Sequence, residues 1–179
     1  MQYFKAVRPD GMDFFTCTVD YGAALHSGDV VRHPSATQEK GDAGTYLSVA
    51  TSAADCTGFS WPCRLFVVKP VGRALKAGDH HPNKRRVSAL CVVSELPAHE
   101  VFGPQGEAVV ALIERAGRLT FDEAQRLSAA GDAAWDAAGN AAGSAAWDAA
   151  LALVVRDLIS VEHFNTLYGP WASVIGDPS

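Results

Sequence analysis

Two hydrophobic patterns divide the chain. As far as about residue 100, short apolar runs alternate with turn residues at strand-like spacing, and beyond Gly106 the apolar positions recur at helical spacing. Gln2 to Val7 predicts a strand, Pro9-Asp10-Gly11 is a turn tripeptide, and Asp13 to Val19 predicts a second strand that closes a hairpin. Asp29 to His33 is a third short run ended by Pro34. The SATQEKGDAG segment after it has no apolar anchor for ten residues and reads as a polar loop, either a lid or plain surface. Thr45 to Ala50 predicts a strand, and Thr51 to Cys56 a short helix or turn that Thr51 or Ser52 would cap. Cys63 to Val71 and Val87 to Leu96 are almost continuously apolar, as strands buried on both faces are, and Pro70 and Pro97 end them. Between these two strands, Lys76 to Arg86 reads as a basic, histidine-bearing loop.

In the helical part, Glu107 to Ala116 places Val109, Val110, Leu112 and Ile113 on one side, with Gly117 as C-cap. Thr120-Phe121-Asp122-Glu123 is a capping box and predicts a long helix from Phe121 to about Ile159. Its middle, Gly131 to Ala150, reads in fours as GDAA, WDAA, GNAA, GSAA, WDAA. Thirteen alanines between Ala129 and Ala152 favour helix, against three glycines that cost about 1 kcal/mol each. A repeat of four overshoots the helical turn by about 40°, so the alanine stripe drifts slowly round the axis. Such a stripe allows close approach of another helix or a sheet, or forms an oligomer seam anchored by Trp135 and Trp147. Ser160 with Glu162 predicts a cap for a last helix through Leu167, ended by Gly169-Pro170. Strands early and helices late predict an α+β protein with a mainly antiparallel sheet, a domain at residues 1–104 and a helical extension at 105–179.

The net charge of -5 argues against general nucleic-acid binding. One concentrated positive patch stands out, Lys76, His80, His81, Lys84, Arg85 and Arg86, in which Lys84, Arg85 and Arg86 are candidate phosphate contacts and a solvated loop is the plain alternative. Lys5, Arg8, Asp10 and Asp13 interrupt the N-terminal apolar residues, so a signal-peptide core is not expected. Ala149 to Val155 is seven residues long, against about 20 for a membrane span. A cytoplasmic protein with four reduced cysteines is the expectation, Cys17 and Cys91 serving as small core residues. Cys56, Cys63, His80 and His81 lack the tight ligand knuckle of a zinc site, so no metal is expected. No glycine-rich phosphate loop and no G-x-S-x-G elbow occurs.

The run GTYLSVATSAADC, followed by RLFVVKPVG and a strand ending in VSELP, contains a Y-x-S-x-x-x-x-A element from Tyr46 to Ala53. Over residues 2–100 this order resembles small ADP-ribosyltransferase-like domains. The resemblance implies NAD as cofactor, His33 as a contact to the nicotinamide ribose and Tyr46 as the ring stacked on nicotinamide. It further implies Glu95 or Glu100 as the carboxylate that polarises the ribose hydroxyl and stabilises an oxocarbenium-like transition state. The sequence departs from the pattern in having Val93, not glutamate, two residues before Glu95. Over its whole length, including the WDAA-type tail and a last helix near GPW, the chain resembles uncharacterised domains of actinobacterial phages and their hosts. That resemblance implies a phage or prophage origin and the host cytoplasm. Two functions are thus expected in competition. One is a cofactor-free binding module with a protein partner, or self-association through the alanine-rich helix; the other is an NAD-dependent ADP-ribosyltransferase or an inactive relative. The enzyme requires His33, Tyr46 and Glu95 to meet in one cleft.

Overall fold

The computed structural model of the chain describes residues 2–37, 42–123, 125–127 and 145–176. The chain divides into two compact units, Met1–Val101 and Phe102–Ser179, the boundary falling just before the expected one at 104. The first unit holds seven antiparallel strands: β1 (Tyr3–Val7), β2 (Val30–Arg32), β3 (Leu47–Ala50), β4 (Arg64–Pro70), β5 (Leu75–Gly78), β6 (His81–Val87) and β7 (Ala89–Leu96). A short helix, α1 (Tyr21–Ser27), packs against β7. The second unit holds α2 (Gly106–Ala116), helical residues 121–123 and 125–127, α3 (Ala145–Val154) and α4 (Val161–Val174). The fold is α+β, strands first and helices last, as the change of periodicity predicts.

The strands run in the order β2-β7-β4-β1-β3-β6-β5. β4 buries Phe66 and Val68 on one face and Leu65 and Val67 on the other, which accounts for its unbroken apolar run. β6 and β7 are four places apart in this order, yet Ser88 alone joins them. Two peptide steps reach at most about 7 Å, whereas four strand spacings cover about 19 Å. A flat sheet is therefore excluded. The sheet folds over, so that Tyr3, Val7, Phe66, Val68, Leu90 and Val92 from one half share a core with Leu47, Val49 and Val87 from the other. The fold line lies between β1 and β3, which share the single registered pair Phe4↔Ala50, whereas β1 and β4 share five.

Several expectations change as a result. The predicted strand Val87 to Leu96 is two elements, because the chain crosses between the halves at Ser88. The basic segment Lys76 to Arg86 is not a loop but most of the β5–β6 hairpin, with Gly78↔His81 next to its turn. β5 is an edge strand, and charge is what keeps such an edge from pairing with other chains. Asp13 to Val19 is not a strand either: only the isolated bridge Met12↔Asp20 links its ends. Cys17, expected in the core, is exposed within that loop at φ 55, and Cys91 is half-buried on β7. The short helix or turn expected over Thr51 to Cys56 is a 3₁₀ turn, Ala53–Asp55. Its Ser52 and Thr51 hydroxyls donate to Asp55 Oδ2 at 2.6 and 3.2 Å rather than capping the backbone.

Helix α1 is bounded by side-chain and glycine caps. Asp20 Oδ1 accepts from the Ala23 N–H at 2.8 Å, and Gly28, at φ 76, donates to the Ala24 carbonyl at 2.9 Å. Its first turn crosses the Pro9-Asp10-Gly11 turn, where the Gly11 carbonyl accepts from the N–H groups of Tyr21 and Gly22 at 2.9 and 3.2 Å. A Cβ on Gly11 would lie 2.8 Å from Gly22 Cα, and Gly11 itself has φ 90.

In the second unit, Val109 and Leu112 of α2 join Leu127, Ala149, Ala152, Leu153, Tyr168 and Trp171 in one core. Ala149 and Ala152 are fully buried, so the small side chains of α3 do serve close packing against α2 and α4. The capping box is present: Thr120 N–H donates to Glu123 Oε2 at 2.8 Å, and Glu123 N–H to Thr120 Oγ1 at 3.2 Å. Residues 128–144, with Trp135 and most of the alanine repeat, lie outside the described residues. α3 ends at Val154, short of Ile159, and a 3₁₀ turn Arg156–Leu158 follows. Ser160 Oγ then accepts from the His163 N–H at 3.2 Å to start α4. That helix continues through Gly169-Pro170 to Val174 instead of ending there. Pro170 removes one bond to the Thr166 carbonyl, but Thr166 is exposed to water and Tyr168 and Trp171 on either side are buried, which holds the turn. Among the described residues, no helix is long and apolar enough to cross a membrane.

Gly11→Ala should lower the unfolding free energy in two ways: about 1–2 kcal/mol for the left-handed backbone and about 1–3 kcal/mol for overpacking against Gly22. Gly28→Ala, with nothing within 4 Å of the added Cβ, should show the first cost alone. Urea denaturation of the two variants measures the difference, and equal losses would contradict the close crossing.

Candidate functional site

Beyond Phe4↔Ala50, β1 and β3 part, and a cleft of about 270 Å³ opens between them. Lys5 and Ala6 of β1 line one side and Leu47 and Ser48 of β3 the other. The Ala6 N–H donates to the sulfur of Cys56, a partner from outside the strands. Burial pushes that thiol up.

A further wall is the loop from Asp13 to Val19, wound round one carboxylate. Asp13 Oδ2 accepts from the N–H groups of Phe15 and Thr16 at 3.1 and 2.6 Å, and Oδ1 from those of Thr18 and Val19 at 3.1 and 3.0 Å. The Thr16 hydroxyl adds a donor at 3.0 Å. Burial alone would raise the Asp13 pKa, but the N–H groups of Thr16 and Val19 outweigh it and hold the carboxyl down to about 2. The aromatic and β-branched run FFTCTV is thus drawn off a strand by an acceptor that offers its backbone other partners.

His33 and Tyr46 both line this cleft. His33 directly follows β2, and its backbone N–H donates to the Ser88 carbonyl at 3.0 Å, at the point where the chain crosses between the sheet halves. Its Nδ1 accepts from the Ser35 N–H at 3.0 Å, so in the neutral ring the proton sits on Nε2. Tyr46 follows a 3₁₀ turn, Ala43–Thr45, capped by Asp42, and the Arg86 guanidinium lies 5.9 Å from its ring centroid.

Glu95 is not among the cleft residues. It lies on β7 opposite Phe66, two strands from Lys5 on the same face. Arg64 grips it in a bidentate pair, Nε to Oε1 at 2.8 Å and Nη2 to Oε2 at 2.7 Å. This hydrogen bonding holds the Glu95 carboxyl below its ordinary range. Glu100 lies in the 3₁₀ stretch Ala98–Gln105 and is also outside the cleft lining. The three residues required for transferase chemistry are therefore brought together only in part.

The basic run does not act as one site, since successive side chains of β6 point to opposite faces. Lys84 lines the cleft and reaches the Thr57 carbonyl at 3.5 Å. Arg85 points the other way and donates to the carbonyls of Pro82 and Lys84 at 2.7 and 2.8 Å. Arg86 is buried, with Nε on the Lys76 carbonyl at 2.9 Å. A different cation joins Lys84. Lys5, half-buried between Tyr3 and Val7 on the inward face of β1, has its ammonium 5.5 Å from the Tyr21 ring centroid. Burial first, and then the charge of Lys84, push Lys5 down to about 8. Sequence reasoning did not single out Lys5, although its parity with Tyr3 and Val7 was the available signal.

Among the described residues, no group of three or more His, Cys, Asp or Glu side chains is placed to hold a metal ion. Cys63 is a buried thiol whose pKa burial raises to about 11. In the second unit, Trp147 is 67% exposed on α3. Comparison with protein-family models, curated proteins and solved structures finds no match to this chain.

The depressed Asp13 carboxyl contributes stability that is complete above the unfolded value near 4 and is lost as pH falls through about 2. Asp13→Asn should cost about 1.5–3 kcal/mol at pH 7 and flatten the stability profile between these two pH values. Denaturant melts at pH 7, 4 and 2 check both effects, and an unchanged acid limb in the variant would contradict the cage.

Proposed function

We propose that the protein is a binding module whose N-terminal cleft holds a small ring-bearing ligand, and that no glycosidic chemistry runs through Glu95. The observation that carries this reading is the separation of the candidate triad: His33 and Tyr46 line one cleft, while both oxygens of Glu95 are engaged by Arg64 outside it. A carboxylate that polarises a hydroxyl must come within about 2.6–3.2 Å of it. Among the described residues, Asp13 is the one carboxylate of the lining, and its oxygens are taken up by the N–H groups of its own loop. The tyrosine and histidine rings remain as flat contacts for a planar ligand. The convergence of His33 and Tyr46 favours the ADP-ribosyltransferase reading as the alternative.

Thermal unfolding with millimolar NAD, adenosine or nicotinamide tests the cleft. A ligand at 100 times its dissociation constant adds about 2.7 kcal/mol of stability, and at least one of the three should shift wild type but not Tyr46→Ala. No shift with any of them would overturn the ring-binding reading. Nicotinamide release from NAD tests the alternative. We expect none above the buffer rate, and release that Glu95→Gln abolishes in a folded variant would decide for the transferase.

For the second unit the reading is an assembly surface. Trp147, Leu151 and Val154 recur at i, i+4 and i+7 on α3 and are 67%, 43% and 42% exposed, opposite the buried Ala149, Ala152 and Leu153. An apolar stripe of this kind suits a second copy or a protein partner, and a phage-encoded module acting by binding in a host cytoplasm would use it so. Light scattering of the full chain should give a mass above that of the monomer, lowered by Trp147→Ser with Leu151→Ser. A wild-type monomer would end the self-association reading.

A further inference from the structure

We propose that Lys5 and Lys84 form an anion clasp in the cleft and that its ligand is a phosphorylated ring compound of mononucleotide size. This rests on the reading of the cleft as a ligand site. Strand alternation aims Lys5 inward between Tyr3 and Val7, a position where an ammonium loses much of its hydration. Lys84 enters the same cleft from β6, across the fork of the sheet.

Among the described residues, neither lysine has a carboxylate partner. The two acids near enough to act on them electrostatically are committed elsewhere. Asp13 is caged by its own loop. Asp55 accepts from Ser52 Oγ at 2.6 Å, Asn83 Nδ2 at 2.9 Å and Thr51 Oγ1 at 3.2 Å. The other titratable groups facing the lysines among the described residues are Tyr21, Tyr46, His33, His81 and the buried thiol of Cys56, none of them a carboxylate. The charge of Lys84 acts on Lys5, and the two carboxylates within range, Asp13 on Lys5 and Asp55 on Lys84, act without touching either ammonium. A phosphate dianion supplies the anionic acceptor in direct contact that neither carboxylate provides, and accepts from both ammonium groups.

The rest of the cleft indicates what the phosphate is attached to. Tyr46 and His33 bring their rings to the same space. The volume, about 270 Å³, falls just below the range of ligand sites, about 300 to 1,000 Å³, and suits one ring and one phosphate better than a dinucleotide.

Isothermal calorimetry of the full chain with AMP, adenosine and inorganic phosphate tests the clasp, in wild type, Lys5→Met and Lys84→Met. AMP should bind at least about ten-fold more tightly than adenosine in wild type, and each variant should lose about that factor for AMP while leaving adenosine unchanged. Because a bound anion favours the ammonium form, AMP binding near pH 8 should take up protons, seen as a dependence of the heat on buffer ionisation enthalpy, and affinity should fall as pH rises above 8. Lys5→Met should also melt higher than wild type, since it removes an unpaired half-buried charge; a lysine with a purely structural role would melt lower on removal. Equal affinities for AMP and adenosine, unchanged in both variants, would overturn the clasp and leave the ring site standing. Binding of none of the three would overturn the clasp and the ring site together.

Discussion

Ser88 is the only residue between β6 and β7, and the rest of the first unit follows from that short connection. Strands four places apart in the sheet order must lie next to each other at their joined ends. The sheet meets this demand by folding, and the folded halves enclose the core from Tyr3 to Val92. The fold line opens where β1 and β3 pair least, at Phe4↔Ala50. The same crossing positions a candidate side chain, because the Ser88 carbonyl holds the backbone of His33. The cleft is thus a consequence of connectivity.

Charge within the cleft follows a consistent division. The acids nearest to it are consumed by local hydrogen bonds: Asp13 organises its loop, and Asp55 ties a 3₁₀ turn to Asn83. Lys84 reaches the Thr57 carbonyl and Lys5 lies over the Tyr21 ring, but among the described residues neither touches a carboxylate. Further round the sheet, Arg64 and Glu95 neutralise each other in a pair 31 residues apart in sequence. What remains without a carboxylate in contact beside the aromatic walls is positive, and the proposed anionic ring ligand rests on that.

Much of this architecture was legible in the sequence, and the failures have identifiable causes. The apolar runs of β1 and β4 and the capping box at Thr120 depend on local patterning and appear where the pattern puts them. The false strand at Asp13 to Val19 has strand-like side chains, but one carboxylate competes for its backbone. Helix α1 carries readable caps at Asp20 and Gly28, yet its seven residues are too few for helical periodicity to show. The β5–β6 hairpin is masked by the charges suited to an edge. The crossing at Ser88 and the Arg64–Glu95 pair are non-local and leave no short-range trace. For that reason Glu95, expected beside His33 and Tyr46, lies outside the cleft that those two line.

The most direct test of the account is a ¹H–¹⁵N correlation spectrum of the full chain titrated with AMP. The account predicts shifts concentrated at the amides of Lys5, Ala6, Leu47, Ser48, Thr57 and Gly58, which surround the fork, with Glu95 and its neighbours unmoved. Binding that shifts residues around Glu95 and Arg64 while leaving the fork unchanged would place the ligand site elsewhere and contradict it.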